Sequence, residues 1–310
     1  MFDLEGKRVY IAGHNGMVGR ALIRRLATEN CEILTSNRHT VDLKNQAAVE
    51  NWFKKNKPNV VFLAAARVGG VHANRSFPAE FLYDNLAIAI NVIQAAKETD
   101  VQKLLFLGSS CIYPRLASQP MQEEALLTGT LESTNQWYAI AKIAGLKLTQ
   151  AYYLQYGCNF ISCMPTNLYG PYDNYDLQKC HVLPALLRKI HEAKMQKQKT
   201  VVIWGTGAPR REFLYVDDLA DACIYLIKRY SEEQTINIGV GKDISIRELA
   251  NQIAEVVDYT GEFVYDTNMP DGTPQKLLDV TRLSALGWQA KTELKTGIKL
   301  TYEDYLRRTL

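Results

Sequence analysis

Short, mainly apolar runs alternate with amphipathic stretches through the first half of the chain. Arg8–Ala12 precedes a helical pattern over Met17–Glu29, and Cys31–Thr35 precedes one over Asn45–Asn56, which stops before Pro58. Asn59–Ala64, Lys103–Leu107 and Asn159–Met164 repeat the apolar run, with long helical patterns over Phe77–Glu98 and Asn135–Tyr156 between them. A strand that is apolar along its length is buried on both faces, and strands separated by helices run parallel. The pattern predicts an α/β fold built on a Rossmann-type doubly wound parallel sheet.

The rhythm breaks after Pro165. A loop-rich stretch of Tyr, Asn and Asp runs to about Cys180. A helix is expected over His181–Gln196, a strand over Thr200–Trp204, a helix over Asp217–Tyr230 and a strand over Thr235–Ile238. Ser245 and Glu248 have capping-box spacing and open a further helix. The expected division is a dinucleotide-binding domain of residues 1–165 plus about 212–240, and a smaller, discontinuous C-terminal α/β substrate domain of about 166–211 plus 241–310.

Composition narrows the functional classes. Over 310 residues the net charge is only +3, which argues against a nucleic-acid coat or a membrane-surface role. No apolar run approaches the ~18 residues of a spanning helix. The six cysteines (Cys31, Cys111, Cys158, Cys163, Cys180 and Cys223) form no C-x-x-C pair, and the five histidines are dispersed. No metal site or disulfide framework is expected, and reduced thiols in the cytoplasm are the simple reading.

Gly13-His14-Asn15-Gly16-Met17-Val18-Gly19 joins the first strand to the first helix. Glycines so placed let the backbone turn tightly against a pyrophosphate, with helix-terminal N–H groups facing the anion. The second strand ends in Thr35-Ser36-Asn37-Arg38-His39, without the acidic residue that would hold a ribose 2′-hydroxyl. Arg38 offers a planar fork to a 2′-phosphate, so NADP(H) is expected rather than NAD. Asp42, Leu43 and the alanines Ala64–Ala66 would line the adenine and phosphate side.

The fourth strand runs into Gly108-Ser109-Ser110-Cys111, at the sheet edge where ligands of open parallel sheets bind. If the chain stays extended, Ser109 and Cys111 point the same way. Tyr138 and Lys142 stand four apart on one helix face. A free phenol titrates near ~10, and an adjacent ammonium lowers that value. The constellation predicts ketone reduction, with Ser109 holding the carbonyl and Tyr138 protonating the oxygen.

The glycine turn, the serine and the Tyr-x-x-x-Lys pair resemble the extended short-chain dehydrogenase/reductase superfamily. The blocks IAGHNGMVG, AAARVGGVHAN, LGSSCIYP, YAIAKIAG, PTNLYGPYDN, HVLPALLRKIHEA, REFLYVDDLADA and PDGTPQKLLDVTRL span essentially the whole chain. Together they resemble the epimerase/reductases of GDP-4-keto-6-deoxy sugars. The resemblance implies a GDP-linked 4-keto sugar as substrate, with C3 and C5 epimerised before C4 is reduced by NADPH. It puts the epimerising acid–base pair at Cys111 and His181. It adds Leu107, Gly108, Pro165, Asn167, Leu168 and His181 to the cofactor side. It assigns Ser110, Lys189, Trp204, Arg211 and Asp279 to the substrate. It also implies a homodimer through a four-helix bundle of the two long helices, with Leu82, Leu86, Ile90 and Ile93 as apolar candidates.

Two stretches depart from the family pattern. Gln136-Trp137 stands where the family has Glu-Pro before the tyrosine, and Tyr175–Cys180 before His181 differs in composition. Both fall where sugar recognition is expected, so a GDP-linked heptose or dideoxyhexose stays open as the substrate. A non-catalytic NADPH-binding regulator is the alternative from another class, against which the serine, tyrosine and lysine all count.

Overall fold

The computed structural model describes residues 1–269 and 271–309; Pro270, in the PDGTP block, lies outside them. Its strands are β1 (Arg8–Ala12), β2 (Glu32–Thr35), β3 (Val60–Leu63), β4 (Lys103–Leu107), β5 (Phe160–Pro165), β6 (Asn167–Tyr169), β7 (Thr200–Trp204), β8 (Arg210–Tyr215), β9 (Ile236–Ile238), β10 (Asp243–Ser245), β11 (Glu262–Asp266) and β12 (Gln275–Lys276). The helices are α1 (Met17–Leu26), α2 (Gln46–Asn56), α3 (Val71–Ser76), α4 (Pro78–Glu98), α5 (Gln136–Tyr156), α6 (Val182–Met195), α7 (Val216–Arg229), α8 (Ile246–Val257), α9 (Thr281–Ala285) and α10 (Leu294–Thr309).

Six strands form one parallel sheet in the order β2-β1-β3-β4-β5-β9. Period-two alternation deals their side chains into two apolar layers. Val9, Ile11, Val60 and Phe62 enter one layer with Leu22, Leu219 and Ile227 of α1 and α7. Tyr10, Val61, Leu104 and Phe106 enter the other with Phe53, Val92 and Leu146 of α2, α4 and α5. Each such side chain contributes roughly 1.5–3 kcal/mol on burial. The sheet is the doubly wound one that the sequence pattern predicts.

Helix α5 lies unusually close to this sheet. A Cβ on Gly145 would stand 2.4 Å from the Phe106 ring, so a side chain there is excluded. The helix ends at Gly157, in the left-handed region at φ 67°. Helix α1 stops at Leu26 rather than Glu29, because Thr28 Oγ1 takes the Arg25 carbonyl at 2.9 Å and Glu29 turns to Lys228 at 2.5 Å.

The later segments build smaller sheets. Strand β8 pairs with β6, β10 and β12, while β7 pairs with β11. Of these, only β7 is visible in the sequence pattern. β8 begins with two arginines and a glutamate, and β6, β10 and β12 span at most three residues, too short for any periodicity. Ser245 and Glu248 do form a capping box, with Glu248 N donating to Ser245 Oγ at 3.1 Å and Ser245 N to Glu248 Oε2 at 2.9 Å. No helix among the described residues is long and apolar enough to cross a membrane.

Candidate functional site

The turn from β1 into α1 lies at the C-terminal edge of the parallel sheet. A Cβ on Gly13 would meet the Ala65 backbone at 2.7 Å, and one on Gly19 would meet the Gly13 carbonyl oxygen at 2.2 Å. Bare backbone therefore lines this turn. Gly16 begins α1 without a side-chain cap, so the first N–H groups of the helix lack partners of their own. This is a cradle shaped for a diphosphate. His14 is half-buried, Asn15 is exposed with its carbonyl accepting from Arg20 Nε at 3.0 Å, and Met17 and Val18 pack on the core. Arg38 is exposed and makes no hydrogen bond or ion pair among the described residues. Asp42 accepts from Lys44 N at 3.1 Å and the Leu43 carbonyl from Asn91 at 3.0 Å, which fixes the neighbouring turn.

The second cluster follows β4. The chain does not stay extended after Ser109 but enters a 3-10 turn over Ser110–Ile112, capped by Ser109 Oγ, which accepts from Cys111 N at 3.2 Å. It is this turn, not strand alternation, that sets Ser109 beside Cys111. Ser110 is buried, and Gly108 N donates to the Cys163 carbonyl at 2.8 Å.

Tyr138 and Lys142 share the inner face of α5, with the ammonium 5.8 Å from the phenol ring centre. Lys142 Nζ donates to the Leu107 carbonyl at 2.8 Å and lies 4.9 Å from the Phe106 ring. Burial lowers its pKa to about 8. The expectation that this lysine brings the phenol down is not met without cofactor. Burial pushes Tyr138 well above its ordinary value, the Cys111 thiolate adds to this, and the Ser109 hydroxyl only partly opposes it. The phenol is thus held in its proton-donating form.

Cys111 behaves in the opposite way. Burial raises its pKa, but the charge of Lys276, the Ser109 hydroxyl, the hydrogen bond from Lys276 and the Arg211 charge together take it below the ordinary thiol value. Lys276 Nζ donates to Cys111 Sγ at 3.4 Å. His181 is the N-cap residue of α6, and its pKa is lowered by burial and then by the same Lys276 charge. One ammonium therefore acts on both members of the expected acid–base pair.

The expected substrate residues divide. Lys189 Nζ lies 5.1 Å from the exposed Trp204 ring and donates to the Val202 carbonyl at 3.4 Å; burial lowers its pKa. Arg211 Nη1 donates to the Arg210 carbonyl at 2.8 Å, and burial lowers its pKa against the charges of Cys111 and Asp271. The Asp279 carboxylate accepts from Thr281 N at 2.8 Å at the start of α9. Asp271 stands at the Arg211 side, accepting from Thr206 N at 2.7 Å and from Thr206 Oγ1 at 2.9 Å. Asn167 Nδ2 donates to the Glu212 carbonyl at 2.8 Å, Pro165 is buried in β5 and Leu168 packs on the core. Sequence reasoning missed Lys276 and Asp271. Both lie in the PDGTPQK block, whose strand of two residues carries no pattern to read.

A family model described as the NAD dependent epimerase/dehydratase family matches residues 9–239. The chain belongs to this family. Within the family, the GDP-L-fucose synthase of Sinorhizobium fredii is 55% identical over 306 residues, covering 99% of this chain and 98% of its own. A GDP-6-OMe-4-keto-L-xylo-heptose reductase from C. jejuni superposes with TM-score 0.92 at 39% identity, covering 98% of this chain and 99% of its own. A GDP-L-fucose synthetase from Naegleria fowleri bound to NADP superposes with TM-score 0.91 at 29% identity, covering 99% of this chain and 95% of its own.

Proposed function

We propose that the chain is an NADPH-dependent epimerase/reductase converting GDP-4-keto-6-deoxy-D-mannose to GDP-L-fucose. The observation that carries this reading is one cleft edge holding two sets of groups: Ser109, Tyr138 and Lys142 for reduction, and Cys111, Lys276 and His181 for proton transfer. Residues 13–19 cradle the cofactor diphosphate and Arg38 takes its 2′-phosphate. Bound NADPH supplies the hydride for C4. Ser109 holds the C4 oxygen, Tyr138 delivers its proton to it, and Lys142 steadies the phenolate left behind. Lys276 favours thiolate at Cys111, so Cys111 takes the acidic proton beside the ketone; His181 returns one from its protonated form, which burial and the Lys276 charge disfavour. Lys189, Trp204, Arg211 and Asp271 hold the GDP portion.

Residues 1–165 with about 212–240 serve the cofactor, and the remaining segments serve the sugar. A homodimer through α4 and α5 fits the exposed Tyr83, Ile90, Trp137, Ile140 and Leu154, although Ile93 is spent on the core. A monomer mass in light scattering overturns the dimer. The setting is the cytoplasm.

The test is NADPH oxidation, followed by absorbance, with GDP-4-keto-6-deoxy-D-mannose. Sugar-dependent oxidation, reduced about 10²–10⁴-fold in Tyr138→Phe, supports the reading. Oxidation with a GDP-linked 4-keto heptose alone supports the second reading, which the heptose reductase likeness favours.

A further inference from the structure

Glu212 is completely buried in β8, and among the described residues no lysine or arginine pairs with its carboxylate. Its oxygens are instead spent on backbone. Oε1 accepts from Val240 N at 2.6 Å and Gly241 N at 2.7 Å, and Oε2 accepts from Leu278 N at 3.0 Å. Its own carbonyl accepts from Asn167 Nδ2 at 2.8 Å and Thr166 Oγ1 at 3.3 Å. One residue thus ties the ends of β5 and β9 to the strand carrying Lys276.

On its other side the segment is tied to the 119–121 turn, where the Leu277 carbonyl accepts from Met121 N at 2.8 Å and Leu277 N donates to Gln119 Oε1 at 2.9 Å, but its pairing with β8 is short. β12 is two residues long and pairs with β8 only through Gln275 opposite Arg210 and Lys276 opposite Arg211. The Leu278 N–H taken by Glu212 lies immediately beyond. Holding it supports the register on β8 that sets Lys276 Nζ 3.4 Å from Cys111 Sγ.

We propose that Glu212 is a positioning residue that holds the Lys276 ammonium against Cys111 by clamping the Lys276 strand against β8. It deepens the proposed function, since it names what holds the cation beside the acid–base thiol. The groups facing Cys111 are Lys276, Arg211, Ser109 and Tyr138, and of these only Lys276 lies on the strand held through Leu278.

Glu212→Gln tests this with little change of shape. An amide keeps one acceptor oxygen and turns an NH₂ toward the other set of N–H groups. Retaining both the Val240 and Gly241 bonds leaves Leu278 N–H facing a donor, so the Lys276 strand is the one released. The readout is the pH dependence of Cys111 alkylation by iodoacetamide in the full chain, identified by peptide mass. It requires no sugar, so failure of the substrate assignment leaves the experiment intact.

The expected result is a Cys111 profile displaced upward, with alkylation at neutral pH slowed about tenfold for a rise of one pH unit. Lys276→Met should displace it in the same direction, and Glu212→Gln added to Lys276→Met should move it no further. A lowered melting temperature with an unmoved profile reduces Glu212 to a structural role and overturns the proposal. Additive displacement in the double variant also overturns it. If the glutamine variant does not fold, Glu212→Asp, charged but too short to reach both segments, is read the same way. In the wild-type chain the Leu278 amide must also exchange slowly with solvent; rapid exchange overturns the clamp.

Discussion

Lys142 is held in a place that costs the fold free energy. Burial takes its pKa from 10.5 to about 8, a cost of roughly 3 kcal/mol at about 1.4 kcal/mol per unit. Lys142→Met keeps the length of the side chain and removes the buried charge. It also orphans the Leu107 carbonyl that Nζ now satisfies at 2.8 Å, which costs about 1–3 kcal/mol. The variant should therefore be about 0–2 kcal/mol more stable than the wild type at pH 7, while losing reductase turnover. The sign with pH follows from linkage. The folded pKa lies below the unfolded one, so the unfolded chain binds more protons between about pH 8 and 10.5. Wild-type stability should rise relative to the variant across that window, and the penalty should be fully present below it. Urea unfolding of both proteins from pH 7 to pH 10.5 measures the difference. A variant destabilised by 2 kcal/mol at pH 7, or a difference constant with pH, refutes the idea that Lys142 is kept at the expense of stability.

Two further outcomes follow from the cofactor end. Gly19→Ala puts a methyl 2.2 Å from the Gly13 carbonyl oxygen, and because the obstacle is backbone the turn must open. NADPH affinity, measured by nicotinamide fluorescence, should fall more than about tenfold, with only about 1–3 kcal/mol lost in stability. Arg38→Ser should weaken NADPH but not NADH, since Arg38 has no ion-pair partner to lose among the described residues; equal weakening of both removes its assignment to the 2′-phosphate.

The central sheet was readable from the chain because its strands are apolar on both faces and its helices are long. The same periodicity put Tyr138 beside Lys142, because i and i+4 neighbours meet on any helix. Ser109 and Cys111 came together for a different reason than alternation supplies, since a serine cap bends the chain at once. Lys276 was illegible because its effect on Cys111 depends on a pairing between β8 and β12, far apart in sequence and too short to leave a pattern. Asp279 and Asp271 show the same limit. Two acidic residues of one block look alike in sequence, and only the fold assigns one to a helix start and the other to the Arg211 side.

The missing side chain at Gly145 reaches further than its own position. A helix seated this deep on an aromatic ring has little room to roll, because a Cβ brought to the Gly145 position would meet Phe106 at 2.4 Å. The bearing of the phenol, two turns earlier, is thus set by the thickness of a contact at which no residue reacts. Tyr138 is aimed by an absence.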